Sequence, residues 1–131
     1  MTDSKRLRDQ DAQVLSAYIK ENQDETLGLA PKIKCRDGFG VSIQASRYHY
    51  CTPREDGPEF WTEFECGFPT APVRSWREWR DGPTPDTQNV FGFVPASKIM
   101  DVIRRHGGCD ALDALRAVAA TTHPQETGDG E

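Results

Sequence analysis

The chain has 131 residues, 36% hydrophobic and 28% charged, with 21 acidic against 16 basic side chains and a net charge of -5. That size fits one domain with one core that needs no metal or disulfide staple, and the acidic balance argues against a general nucleic-acid binder. No apolar run approaches the roughly 20 residues of a membrane span and the opening MTDSKRLRDQD is charged, so neither a spanning helix nor a secretory signal is predicted.

After four polar, frayed residues, 5–23 reads as an amphipathic helix. Leu7 precedes Val14, Leu15, Tyr18 and Ile19, which repeat as i, i+1, i+4, i+5, one stripe of a helix that packs by one side. Gly28 and Pro31 mark 22–31 as a connection. Lys32-Ile33-Lys34-Cys35 then alternates, and Asp37-Gly38 signals a two-residue hairpin. Phe39, Val41, Ile43 and Ala45 alternate with small and polar residues, the clearest strand in the chain, and Arg47-Tyr48-His49-Tyr50-Cys51 is read as its continuation past a bulge.

Pro53, Gly57 and Pro58 make 52–59 a loop. A third strand is expected over 60–68, with Phe60, Thr62, Phe64, Cys66 and Phe68 on a dry face and Trp61, Glu63 and Glu65 on a wet one. The Pro- and Gly-rich stretch 69–89 encloses a short helical piece at 73–80. Val90 to Val94 reads as a fourth strand, and Pro95 opens a helix bearing Ile99, Met100 and Ile103 that stops at Gly107-Gly108. Asp110 is expected to cap a last helix with Leu112, Leu115 and Val118 on one side. The order predicts a single α+β domain over 1–120. It comprises a helix at 5–23, a small antiparallel sheet of about four strands with its loops at 32–94, and helices at 96–120 packed on one face; 121–131 is expected to be a disordered tail.

Catalytic signatures such as GxSxG, HExxH, GxxxxGK[ST] and GxGxxG are absent from the sequence. Cys35, Cys51, Cys66 and Cys109 lack CxxC spacing, and without an export signal reduced thiols are expected. His49 and Cys51, two apart on one strand face, could converge on a metal with Cys35 and Cys66 from neighbouring strands, but at roughly 6–7 Å the two are too far apart for direct proton transfer; the alternative is that these cysteines are small core hydrophobes. Arg47 to Cys51 otherwise reads either as a strand end covering the core rim or as an aromatic and arginine recognition surface.

The window Glu55 to Glu65 carries five carboxylates, Glu55, Asp56, Glu59, Glu63 and Glu65, and no basic residue, so its charge equals that of the whole chain. It is either a solvated edge or a negative patch for a basic partner. Arg74, Arg77 and Arg80 recur at three-residue spacing beside Trp76 and Trp79. These arginines either pair internally, with Glu63 and Glu65 or on the indoles, or leave the tryptophans as partner contacts.

The string VSIQASRYHYCTPR at 41–54, followed by Glu65-Cys66-Gly67-Phe68-Pro69, Gly92-Phe93-Val94-Pro95 and His106-Gly107-Gly108, resembles small, largely uncharacterised proteins of bacteriophages, prophages and other mobile elements. The resemblance spans roughly 33–108 and carries no catalytic residues with it. It implies action inside the host bacterial cytoplasm, and small acidic proteins of such origin often occupy a host protein surface. An anti-defence inhibitor, most specifically an anti-CRISPR protein, is therefore expected. Glu55, Asp56, Glu59, Glu63 and Glu65 would meet a basic nucleic-acid-binding surface of a defence complex such as a Cas subunit, with Trp61, Trp76 and Trp79 as anchors. This reading has no catalytic residue, metal, cofactor or direct nucleic-acid contact. The alternatives are a small enzyme or metal-dependent protein centred on His49, Cys51 and Cys66, and a structural or regulatory accessory of phage assembly.

Overall fold

The computed structural model describes residues 2–118, with side chains from residue 10 onward. Helix α1 (Thr2–Asn22) begins earlier than the sequence predicts, so residues 2–4 are helical, while the proposed tail 121–131 and the Leu7 side chain lie outside the described residues. The predicted stripe faces inward: Val14, Leu15, Tyr18 and Ile19 are buried, and Asp11 and Ser16 are buried with them. Asp11 is held there by the guanidinium groups of Arg104 and Arg116, which supply the partners a buried carboxylate needs.

Strands β1 (Ile33–Lys34), β2 (Gly40–Gln44), β3 (Glu63–Gly67) and β4 (Val90–Pro95) form one antiparallel sheet in the order β1-β2-β3-β4. The β1–β2 connection runs over residues 35–39, and the bond between Cys35 and Phe39 closes it on three residues, 36–38, rather than the predicted two. Gly38 N–H returns to the Cys35 carbonyl (3.0 Å), Cys35 N–H bonds the Phe39 carbonyl (2.7 Å), and Gly38 alone takes a left-handed φ of 99°. A two-residue type I′ turn would need positive φ at Asp37 as well. Asp37 instead accepts from Phe39 N–H (2.9 Å) and sits 2.7 Å from His106 Nδ1; the Phe39 bond, then the histidine, lowers its pKa.

The register places Ile33, Val41, Ile43, Phe64, Cys66, Phe91 and Val94 on one buried face. Helix α2 (Ala96–Arg105) packs beside α1 on that side and buries Ile99, Met100, Val102 and Ile103. It ends in a glycine cap: Gly108 N–H bonds the Ile103 carbonyl (2.9 Å), Gly107 N–H bonds the Arg104 carbonyl (3.1 Å), and both glycines have positive φ. Helix α3 (110–118) has Cys109, whose carbonyl accepts from Asp113 N–H (2.9 Å), at its cap position. Asp110 is thus its first helical residue and pairs with Arg36 (2.6 Å) instead of capping, and Val118 is exposed while Leu112 is buried.

Three sequence expectations change because period-two alternation holds only inside a regular strand. Residues 47–50 turn away from β2 rather than extending it. The wet face of β2 is partly dry: the 22–31 connection lies over it, and Gln44 is buried by bonds to both the N–H and the carbonyl of Ala30 (2.8 Å each). Strand β3 is shorter than 60–68, so its parity fails at both ends. Trp61 is fully buried and Phe68, with a φ of 50°, is exposed.

Candidate functional site

A local reversal of the chain builds the exposed face. After β2, Tyr48 N–H donates to Ser46 Oγ (3.0 Å), and Ser46 Oγ lies 2.7 Å from His49 Nδ1. This compact turn sends Tyr48 and Tyr50 outward and His49 and Cys51 inward. The returning segment runs beside β3, where Thr52 bridges Glu63, Thr52 Oγ1 donates to the Glu63 carboxylate (2.6 Å) and Tyr50 N–H donates to the Glu65 carboxylate (2.9 Å).

Tyr50 then lies over β4. The register of β3 and β4 shifts between Phe64 and Cys66, and Phe93, in the irregular stretch, takes a φ of 58°. Its N–H bonds the Tyr50 carbonyl (3.0 Å) and its ring stands 5.8 Å from the Tyr50 ring, tilted by 33°. Gly92 suits this approach, since a Cβ there would stand only 3.0 Å from the Tyr50 Cβ and would push Tyr50 back by a few tenths of an ångström. Tyr50 and Phe93 remain 44% and 42% exposed, an unusual position for two aromatic rings and costly for Phe93, because a left-handed residue with a Cβ is strained by about 1–2 kcal/mol. The Arg54 guanidinium lies 5.2 Å from the Tyr50 ring and that of Arg47 lies 4.9 Å from the Tyr48 ring.

The acidic window divides into engaged and free groups. Glu63 and Glu65 are half-buried and occupied as above, and Asp56 accepts from Arg47 N–H (3.0 Å) and pairs with its guanidinium (3.3 Å). Glu55 and Glu59 are exposed, and among the described residues only their backbone carbonyls are engaged, by Trp61 Nε1 (3.1 Å) and Lys20 Nζ (2.7 Å). Within this window, the carboxylates of Glu55 and Glu59 are the ones without a partner among the described residues.

The predicted anchors separate from this face. Trp61 is fully buried against α1: Ser16 Oγ accepts from its N–H (2.8 Å) and donates to its carbonyl (3.2 Å). Trp76 is likewise fully buried, edge-on to Phe91 with its indole N–H on the Lys98 carbonyl (3.1 Å). It lies in a 3-10 helix, Arg74–Trp79, whose tighter winding turns Trp76 inward and leaves Trp79 half-buried at the core edge. Arg77 and Arg80 do pair internally, but with buried Asp86 (3.7 and 3.0 Å) rather than with Glu63 or Glu65.

Burial governs the chemistry of His49, Cys51 and Cys66. The Cys51 thiol donates to the Ser46 carbonyl (3.2 Å), and burial raises the pKa of Cys51 and, strongly, that of Cys66, while burial lowers that of His49. These thiols stay protonated at neutral pH and are poor nucleophiles and ligands. Among the described residues no group of three or more His, Cys, Asp or Glu side chains could hold a metal, and no helix is long and apolar enough to cross a membrane.

Phe93 escaped the sequence reading because alternation assigned it no face; Gly92 inside a strand was the available sign of a bulge. Comparison with protein-family models, curated proteins and solved structures finds no match to this chain.

Proposed function

We propose that this protein acts by binding, as a mobile-element inhibitor that places its aromatic and acidic face against a basic surface of a host defence complex, most specifically a CRISPR effector. The observation that supports this most is the pairing of two exposed, neighbouring rings, one on a strained backbone, with the Glu65 carboxylate bonded to the N–H of Tyr50. Strain of this kind persists only where surrounding structure imposes it, and it concentrates at working sites. Exposed aromatics rimmed by charge are what interfaces use as anchors. The contact set differs from the sequence expectation: Tyr48, Tyr50 and Phe93 replace Trp61 and Trp76, with Glu55 and Glu59 as the free charges and Asp56, Glu63 and Glu65 as its half-engaged rim. Partial neutralisation of a basic nucleic-acid channel would exclude the nucleic acid by occupancy, with no chemistry required.

The test is a phage-protection assay in bacteria carrying an active CRISPR system. Expression of the chain is expected to restore plating of a targeted phage, and Glu55→Lys/Asp56→Asn/Glu59→Lys, which reverses the free charges and keeps an acceptor at 56, is expected to lose protection while remaining folded. Failure of the parent protein to protect against any CRISPR type would remove the anti-CRISPR assignment.

A further inference from the structure

The geometry points to an arginine side chain of the partner as the group that the Tyr50–Phe93 pair receives, with Arg54 as its resident stand-in. This rests on the binding reading above and adds which chemistry the face selects. A guanidinium already lies over Tyr50, at 5.2 Å from the ring centroid, and a second lies over Tyr48 at 4.9 Å, so the face has the spacing and polarity that planar cations use. Arginine stacks flat on an aromatic ring and is weakly hydrated, whereas lysine is a compact, strongly hydrated charge; a site built of rings selects the first. Phe93 supplies the adjoining wall, 5.8 Å from Tyr50 and tilted by 33°. Charge complementarity favours a cation as well: the Glu65 carboxylate accepts the Tyr50 N–H (2.9 Å) and the Glu63 carboxylate holds Thr52 (2.6 Å), two acids bonded to the segment that carries the ring against the one guanidinium of Arg54. Arg54 is exposed and makes no ion pair among the described residues, so an incoming guanidinium can take its place on the ring without breaking a salt bridge.

The backbone adds a signature that a purely structural role would not share. Phe93 sits at a φ of 58°, where glycine is the unstrained residue. If the ring is kept for an incoming arginine, Phe93→Gly removes function while relieving strain.

The experiment measures binding of two equal-length peptides, oligo-arginine and oligo-lysine, to the full chain at low salt, with thermal melting as the fold control. The arginine peptide is expected to bind roughly tenfold tighter. Tyr50→Ala and Phe93→Gly are each expected to reduce it to the lysine level and leave the lysine peptide unchanged, and Phe93→Gly is expected to melt no lower than the parent. Arg54→Lys, which keeps the charge but vacates the ring, should strengthen the arginine peptide alone. Equal affinity for the two peptides, or an arginine preference that survives both ring variants, overturns the inference. If in that case Glu55→Lys/Glu59→Lys still weakens both peptides, the acidic-face reading stands without the arginine seat; if neither peptide binds, both fall together.

Discussion

Replacing Trp61 by alanine separates a surface anchor from a core residue by magnitude alone. Removing an exposed tryptophan changes folding stability by no more than about 0.5 kcal/mol. Here the side chain is fully buried, and truncation of a buried aromatic to alanine costs about 3–5 kcal/mol, which includes the cavity left behind. The indole N–H bond to the Glu55 carbonyl (3.1 Å) disappears too, and it tethers the loop that presents Glu55 and Asp56. With a urea slope of about 2 kcal/mol/M for a domain of this size, the midpoint should fall by roughly 2 M. Ser16→Ala probes the same junction from α1. It leaves the buried Trp61 N–H without its acceptor, at a cost of about 1–3 kcal/mol. The assay is equilibrium urea unfolding followed by circular dichroism, because Trp61 itself contributes to fluorescence. A Trp61→Ala protein whose midpoint stays within about 0.3 M of the parent would place the ring at the surface and refute its packing against α1.

Asp86 offers an electrostatic counterpart. Burial opposes its charge, but the Val73 N–H (2.9 Å), Arg80 and Arg77 outweigh it and lower its pKa, so its stabilisation is present above the ordinary value of 3.8 and is lost as pH falls through the lower folded value. Asp86→Ala should cost about 3 kcal/mol in urea unfolding at neutral pH, the low end for a broken buried pair because both arginines reach solvent, and should flatten the acid limb of the stability profile; a parent-like profile in the variant contradicts this. The thiols give the opposite sign. Burial pushes Cys35 up to about 11 and raises Cys51 and Cys66 from 9.0, so their stabilisation is complete below 9.0 and is lost as pH rises through the folded values. Native protein should therefore label slowly with a thiol reagent at mildly alkaline pH, and Cys66→Ala should reduce the alkaline loss of stability; rapid labelling of the native state would contradict their burial.

The buried face of the sheet was legible because alternation is enforced where one side of a strand must be dry: Val41, Ile43, Phe64 and Cys66 face inward as their spacing predicts. The helix stripes of α1 and α2 were legible for the same reason at the helical period. What failed did so where a strand ended. Trp61 and Phe68 flank β3 and obey local hydrogen bonding and a positive φ rather than parity, so the residue expected outside is inside and the reverse. Asp86 was invisible as a partner for Arg77 and Arg80 because nothing in a Pro- and Gly-rich loop specifies which carboxylate folds back. The candidate face was half legible: the density of aromatic and charged residues at 47–56 marked it, but Phe93 joins it only through a register shift between two strands distant in sequence.

Binding of a basic protein surface through the free carboxylates is read out by the affinity of the chain for a purified CRISPR effector complex, of a type against which it protects phage, at low and high salt. Parent protein is compared with Glu55→Lys/Glu59→Lys, whose net charge is four units more positive, and circular dichroism confirms the fold. Parent binding is expected to weaken as salt rises and the variant to bind more than tenfold more weakly at low salt, the two curves converging as screening shortens the reach of the charges. A folded variant that binds as tightly as the parent at low salt would contradict the account and reduce the acidic window to a solvated edge.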